Sequence, residues 1–183
     1  RTLAEDMYTA VEWPWLQARK PLISMGWVPE DGIIKHDWSG YDEAMLVYIL
    51  ALGSPTHPVQ PEAWKAWTKT YEGSFGEFHG QKYLAFGPQF GHQYSHAWID
   101  FRGIRDDWNR DTGFDYFENS RRATLAQRAY ANANPMGWKG YGGDIWGLTA
   151  SDGPQTTVQT YNGKSRTFRH YSARGAGLEA GFD

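Results

Sequence analysis

Two adjacent carboxylates, Asp42 and Glu43, stand directly before an apolar run at residues 44–52. The run has no polar stripe, which predicts a helix buried on all sides, and it is shorter than the roughly 20 residues that span a bilayer. Acidic side chains at the N-terminus of such a helix either cap it and favour its dipole or serve as active-site acids. Ser39 is the predicted N-cap and Asp42 its predicted capping partner, which leaves the Glu43 carboxylate available for catalysis.

Two histidines and an aspartate follow at four-residue spacing further along the chain. If this stretch is helical, His92, His96 and Asp100 lie on one face. A metal site is one interpretation, but Gln93 stands where a His-Glu-x-x-His zinc hydrolase carries its glutamate. The alternatives are a buried polar network, in which Asp100 pairs with Arg102 or a histidine, and a set of side chains that contact a substrate.

A third group of polar and aromatic residues occupies residues 141–154, where Trp146 and Asp152 fall in a loop or a short helix. The other two groups lie at 36–43 and 92–102. Functional residues gather on loops that a rigid scaffold positions. The pattern predicts a helical toroid whose site is built from loops at one end.

Aromatic residues make up 16% of the chain, with ten Trp and eleven Tyr. Trp and Tyr carry polar groups that need partners when the rings are buried. Their excess, together with His and Asp, suits a sugar-binding surface, where ring faces stack on the sugar and polar side chains bind its hydroxyls. An aromatic-rich core is the alternative.

Charge and cysteine content exclude other classes of site. The net charge of −3 gives no electrostatic case for binding nucleic acid or an anionic membrane. Because the chain has no cysteine, disulfides and thiolate zinc sites are excluded. The apolar runs are too short for membrane insertion.

Periodicity and turn residues predict a mainly α-helical chain with small β-hairpins. Pro14 is expected to break the first helix near its end, and Gly53 with Pro55 is expected to end the central one. The Asn162-Gly163 pair predicts a hairpin turn. The predicted helices cover 2–18, 41–52, 61–71 and 114–133, and the predicted hairpins lie around 30–32, at 83–86, and over 156–161 with 165–171.

Several multi-residue motifs together resemble the bacterial glucoamylase-like domain. This group contains the endo-β-1,2-glucanases of glycoside hydrolase family 144, and the glucoamylase-like domain of cyclic β-1,2-glucan synthases is similar. The resemblance runs over nearly the whole chain in the same order. The motifs that carry it lie at residues 38–45, 52–55, 92–102, 119–121 and 146–154.

The resemblance implies an (α/α)6 barrel of which this chain is about the C-terminal half. By length, residues 1–183 are a single domain. The resemblance implies that this is a catalytic domain, which we expect to be incomplete at both ends. The rest of the same polypeptide, or a second chain, would complete the barrel. The resemblance further implies a bacterial periplasmic or secreted protein that binds a β-glucan, with no metal or organic cofactor.

The resemblance also implies inverting hydrolysis, in which an acid and a base flank the glycosidic bond. Glu43 matches the acidic position of the family's Tyr-Asp-Glu motif. Its partner is either upstream of this chain or one of Asp42, Asp100 and Asp152, although Arg102 would keep Asp100 ionised and a poor acid. The side chains expected to contact the sugar are Trp38, Tyr41, His92, Tyr94, His96, Arg102 and Trp146, whereas Trp98 and Phe101 are expected in the core.

Three functional classes are compatible with these features. The first is a glycoside hydrolase acting on β-1,2-glucan, most simply an endo-β-1,2-glucanase. The second is a transglycosylating or cyclising domain of a glucan synthase, in which the same site excludes water. The third is a carbohydrate-binding fragment without catalysis.

Overall fold

The computed structural model describes residues 2–176, and the chain divides into two compact units, residues 1–73 and 74–183. Within the described residues no helix is long and apolar enough to cross a membrane. Helices and short antiparallel hairpins make up the first unit, and its elements are α1 (Thr2–Thr9), β1 (Trp27–Val28), β2 (Gly32–Ile33), α2 (Met45–Leu52), α3 (Glu62–Thr68) and α4 (Tyr71–Ser74), which ends at the boundary.

The second unit combines two further α-helices with three two-stranded antiparallel sheets, which pair β3 with β4, β5 with β8, and β6 with β7. Its elements are β3 (Phe75–Phe78), β4 (Gln81–Leu84), α5 (Asp107–Thr112), α6 (Tyr116–Ala133), β5 (Ala150–Asp152), β6 (Thr157–Tyr161), β7 (Lys164–Phe168) and β8 (Tyr171–Ala173). The described chain is therefore mixed and rich in helix, as expected, and the complete barrel stays a prediction.

Aromatic rings build the core of the first unit. The indole of Trp67 is fully buried and stacks on the Tyr48 ring of α2, with 5.4 Å between the ring centroids. It also contacts Tyr71 edge-on at 5.6 Å and Trp64 at 4.8 Å. Trp64, Trp67 and Tyr71 lie three and four positions apart, and Trp67 contacts both of the other rings as well as Tyr48 of α2.

The central helix α2 is shorter and less buried than its sequence predicts. It begins at Met45, because the Asp42 carboxylate accepts the backbone N–H of Ala44 just before the first turn. No side chain caps the helix, so the N-cap prediction for Ser39 is wrong. One side of the helix is buried, while Leu50 is 37% exposed. Burial on all sides is therefore wrong for the described part of the chain.

The first helix is also shorter than predicted. α1 ends at Thr9, and a 3-10 turn over Trp13–Leu16 contains Pro14. A proline ring clashes with the carbonyl four residues earlier, here Ala10, which explains why an α-helix does not continue to residue 18. No residue of α1 is buried, and Leu3 is 72% exposed.

The hairpin of β3 and β4 packs against α6 in the second unit. Asn119 of α6 is fully buried, its Nδ2 donates to the carbonyl of Leu84 at 3.1 Å, and its Oδ1 accepts the Leu84 N–H at 2.7 Å. Arg122, three residues on, donates from Nη1 to the Lys82 carbonyl at 3.0 Å. The buried ring of Tyr83 lies between these contacts in sequence and joins a core cluster with alanines of α6.

Two predictions near the end of the described chain are confirmed. α6 ends at Ala133, and its C-cap Asn134 has a φ of 42° and precedes Pro135. Strands β6 and β7 are joined through Asn162 and Gly163, with φ values of 50° and 73°, as a tight hairpin turn requires. The hairpin predicted at 83–86 is misplaced, because the structure forms it earlier, between β3 and β4.

Strand β8 returns the chain to the loop that follows β4. The N–H of Ala176 donates to the carbonyl of Gly87 at 3.2 Å. Gly175 lies so close to Gly87 that a Cβ added to Gly175 would overlap the Gly87 backbone. Two glycines therefore permit this close approach of two backbone segments.

Candidate active site

The carboxylates Asp42 and Glu43 lie in the segment of residues 38–44 that leads into α2, here called the acidic loop. Backbone hydrogen bonds hold this loop at two points: Trp38 N–H donates to the Ile23 carbonyl, and Gly40 N–H donates to the Trp67 carbonyl, each at 2.9 Å. Gly40 has a φ of +90°, which favours glycine. The loop is thus anchored to the aromatic core of the first unit.

Asp42 is the carboxyl with the most perturbed environment in the acidic loop. It is 8% exposed, and its Oδ1 accepts the Ala44 N–H at 2.8 Å. Burial raises the pKa of Asp42 to about 7, the Ala44 hydrogen bond opposes that rise, and the negative charge of Glu43 adds to it. A carboxyl that titrates near neutral pH suits proton transfer. Glu43 beside it is half-buried, and its Oε2 is shielded from solvent.

The two aromatic residues expected to contact a sugar near these acids differ in their exposure. Trp38 is half-buried, whereas Tyr41 is 4% exposed and packs edge-on against Tyr71 at 6.2 Å. The assignment of Tyr41 to the substrate-binding set is therefore wrong for this unit, because its ring belongs to the core. Trp38 remains a candidate.

The stretch from His92 to Asp100 is not one helix. Two 3-10 turns, Gln89–His92 and Ser95–Ala97, form here, so the condition for a face shared at four-residue spacing is not met. His92 is fully buried, and its Nε2 lies 3.1 Å from the carbonyl oxygen of Phe86. Burial lowers the pKa of His92 to about 4, which keeps the ring neutral at pH 7. The assignment of His92 to substrate contact is therefore wrong, since the ring supports the loop from inside.

Asp100 and Arg102 form a two-pronged ion pair in the second unit. Arg102 Nε donates to Asp100 Oδ1 and Arg102 Nη2 donates to Asp100 Oδ2, each at 2.8 Å. The hydrogen bonds from Arg102 hold the pKa of Asp100 below its usual range. Asp100 is thus ionised at neutral pH and a poor proton donor.

An open cleft of about 250 Å³, here called the aromatic cleft, surrounds this ion pair. Trp98 is 71% exposed, so its expected place in the core is wrong, whereas Phe101 is 2% exposed as expected. The half-buried ring of His96 packs on Phe101 at 4.7 Å. The cleft is lined by His96, Ala97, Trp98, Ile99, Asp100, Phe101, Arg102 and Phe117.

Sequence reasoning missed two members of this cleft. Phe117 is 41% exposed, and the Arg102 guanidinium carbon lies 5.2 Å from its ring centroid. The sequence carried no signal for the exposure of Phe117 or of Trp98.

Three other candidates lie at the surface of the second unit but do not line the cleft. Tyr94 is 51% exposed and Trp146 is 40% exposed. Asp152 is an exposed residue of β5 opposite Tyr171 of β8. Among residues 2–176 no group of three acidic or histidine side chains is arranged to hold a metal ion.

Comparison with known proteins points to one family. The family model named Glycoamylase, described as "Putative glucoamylase", matches residues 35–183. An exo β-1,2-glucooligosaccharide sophorohydrolase of Parabacteroides distasonis is 28% identical, with 83% of this chain and 24% of that protein covered.

Solved structures show the same relationship. An endo-β-1,2-glucanase from Chitinophaga pinensis, in complex with sophorotriose and glucose, is 27% identical, with a TM-score of 0.73 over 95% of this chain and 40% of that chain. A "putative glucoamylase" from Bacteroides uniformis is 32% identical, with a TM-score of 0.76 over 96% of this chain and 40% of that chain. The chain therefore spans about a quarter of the curated relative and two fifths of these structures.

Proposed function

Because the chain belongs to the Glycoamylase family, we propose that it is part of a glycoside hydrolase that cleaves β-1,2-glucan, as an endo-β-1,2-glucanase. The observation that carries this proposal is the acidic pair at the entrance to α2, in a chain similar to β-1,2-glucan hydrolases. Burial places the pKa of Asp42 at about 7, next to the second carboxylate of Glu43. Such an environment is typical of groups that transfer protons.

The proposed mechanism is inversion by an acid and a base. The two carboxyls of inverting enzymes stand roughly 6.5–9.5 Å apart, with a water molecule between base and sugar. Glu43 is one of the pair in this proposal. Its partner is Asp42, Asp152 or a carboxylate of the part of the family's domain that this chain does not cover. Asp100 could serve only as a base, because Arg102 keeps it ionised.

The proposed sugar-contacting residues are the candidates whose side chains are exposed or half-buried within their own unit. Exposed or half-exposed aromatic rings and polar groups support the assignment, because they remain accessible to a polysaccharide chain. Tyr41 and His92 are left out because both are buried. The proposed set is Trp38, Tyr94, His96, Arg102 and Trp146.

We further propose that no metal or organic cofactor takes part and that the protein is periplasmic or secreted. Acid/base hydrolysis of a glycoside needs only carboxyl groups and water, which supports the first point. The resemblance alone supports the second. The rest of an (α/α)6 barrel is proposed to come from the same polypeptide or a second chain, since this chain covers 40% of a solved relative.

The test is the release of reducing sugar from linear β-1,2-glucan by the full-length protein and by its Glu43→Gln variant. We expect the variant to lose activity by several orders of magnitude while it still folds and binds glucan. Glu62→Gln, which changes an exposed glutamate in the first turn of α3, is the matched control and should retain activity. Equal activity of wild type and Glu43→Gln would show that Glu43 is not catalytic. Cyclic or lengthened glucan products would show that the protein transfers glycosyl groups instead of hydrolysing the glucan.

A further inference from the structure

We propose that the aromatic cleft binds one sugar ring of the glucan, with Trp98 as its stacking platform and the Asp100–Arg102 pair as its hydroxyl-binding edge. This inference rests on the proposed function for the identity of the glucan. It adds a defined subsite with two residues, Trp98 and Phe117, that were not among the side chains expected to contact the sugar.

Trp98 presents a largely exposed indole in the aromatic cleft. Trp98 is 71% exposed and lines the cleft, so the face of its indole is accessible to a ligand that enters there. Its backbone is held firmly, because the Trp98 N–H donates to the carbonyl of Ser95 at 3.2 Å and Ser95 is itself buried. The indole is therefore presented from a fixed point, which lowers the entropy lost on binding.

The Asp100–Arg102 ion pair lines the same cleft as Trp98. The Asp100 carboxylate accepts three hydrogen bonds from Arg102, two from the guanidinium and one from the backbone N–H at 3.1 Å. The side chains are 59% and 67% exposed, so their outer edges face the cleft and solvent. A carboxylate has about four acceptor positions and a guanidinium five N–H donors, so both retain capacity for sugar hydroxyls.

Charge and size select the class of ligand. Because Asp100 and Arg102 neutralise each other, the cleft carries no net charge from this pair and suits an uncharged, polyhydroxylated molecule. Phe117 stacks under Arg102, at 5.2 Å from the guanidinium carbon to the ring centroid, and holds it in place. The volume of about 250 Å³ lies below the roughly 300 Å³ at which pockets for drug-sized ligands begin, which fits a single sugar ring.

The test measures the affinity of the full-length protein for sophorotriose by isothermal titration calorimetry, together with kcat and KM on linear β-1,2-glucan. Trp98→Ala should weaken binding about tenfold, as the loss of one ring contact implies. KM should rise by a similar factor, with kcat within about twofold of wild type if the ring binds and does not react. Arg102→Lys, which removes the two-pronged geometry, should weaken binding in the same way.

Trp27→Ala is the matched control, because Trp27 is 50% exposed and does not line the aromatic cleft. Its affinity for sophorotriose should equal that of wild type. Equal affinities for wild type, Trp98→Ala and Trp27→Ala would overturn the inference. Unchanged melting temperature in Trp98→Ala would exclude a merely structural effect.

Binding and turnover separate this inference from the proposed function. If Glu43→Gln retains full hydrolysis but Trp98→Ala weakens sophorotriose binding, the aromatic cleft is a sugar-binding site and the catalytic assignment of Glu43 is wrong. If the protein binds trisaccharides of β-1,3- or β-1,4-linked glucose through Trp98 and does not bind sophorotriose, the sugar subsite stands and the proposed linkage fails.

Discussion

The hydroxyl of Tyr48 donates a hydrogen bond of 2.8 Å to the backbone carbonyl of Trp38 and accepts one of 3.1 Å from the N–H of Ile23. Tyr48 is fully buried in α2, and burial raises its pKa to about 12, so the hydroxyl stays protonated. One side chain of the helix thus ties the start of the acidic loop to a second buried segment. The position of Asp42 and Glu43 depends on this link.

Tyr48→Phe is expected to destabilise the protein by about 1–3 kcal/mol, because a buried N–H and a partly buried carbonyl both lose their hydroxyl partner. The free energy of unfolding in urea is the appropriate measurement. Tyr171→Phe is the control, since Tyr171 is 55% exposed and the change should stay within about 0.5 kcal/mol. A Tyr48→Phe variant as stable as the control would contradict the anchoring role.

Asp42 should make the protein less stable as the pH rises from about 4 to about 7. Its pKa in the folded state is raised to about 7 by burial, so the folded protein binds a proton that the unfolded chain has already released in this range. The contribution of Asp42 to the free energy of unfolding is fully present below the pKa that Asp42 has in the unfolded chain. It is lost as the pH rises through the pKa that Asp42 has in the folded protein. The total change is a few kcal/mol at most, on the order of 1.4 kcal/mol per unit of pKa difference. Asp42→Asn should flatten this part of the stability curve, measured by urea unfolding at several pH values.

Asp100→Asn provides a control of opposite sign for that experiment. Arg102 lowers the pKa of Asp100 through hydrogen bonds, so the stability that Asp100 contributes is present above the unfolded pKa and lost as pH falls through the folded pKa. Asp100→Asn should therefore change the dependence of stability on pH only at acidic pH, around and below the unfolded pKa of Asp100. A flat profile for wild type between pH 4 and 7 would show that Asp42 is not held protonated.

Asn119→Ala should destabilise the second unit by roughly 2–4 kcal/mol, because both backbone groups of Leu84 would lose the amide that satisfies them. Thermal unfolding of the full-length protein measures the effect. Asn132→Ala, an exposed change in the same helix, should have almost none. Equal melting temperatures for the two variants would mean that the Asn119 amide contributes nothing to the hairpin.

Gly175→Ala should displace the segment after β8, because the new Cβ would overlap the Gly87 backbone. We expect the free energy of unfolding to fall by about 1–3 kcal/mol, which is typical of overpacking. Hydrogen exchange of the Ala176 amide, which donates to the Gly87 carbonyl, should quicken at the same time. Gly73→Ala is the control, since nothing lies within 4 Å of a Cβ at that position. Slow exchange at Ala176 in Gly175→Ala would contradict the close approach.

The features that sequence predicted best depend on local signals. Asn134-Pro135 ends α6, and Asn162-Gly163 turns the C-terminal hairpin, because each dipeptide restricts the backbone wherever it occurs. The motif resemblance is likewise confirmed, since the Glycoamylase model matches residues 35–183.

Exposure of individual aromatic residues could not be predicted. Trp98 was expected in the core and Tyr41 in contact with the sugar, yet Trp98 is exposed and Tyr41 is buried. Trp and Tyr have apolar rings and polar tips, so either environment suits them and tertiary packing decides. The shared face of His92, His96 and Asp100 failed for a related reason: a helical spacing predicts a common face only where a helix forms, and this stretch makes 3-10 turns.

The contacts of α6 with strand β4 have a consequence for association between molecules. Lys82 and Leu84 are alternate residues of β4, so their backbone groups point to the same edge, away from β3. Arg122 and Asn119 bind backbone groups of these two residues. An open strand edge is a template on which another chain can add a strand and aggregate. Two side chains of a helix therefore occupy hydrogen-bonding positions that a foreign strand would need.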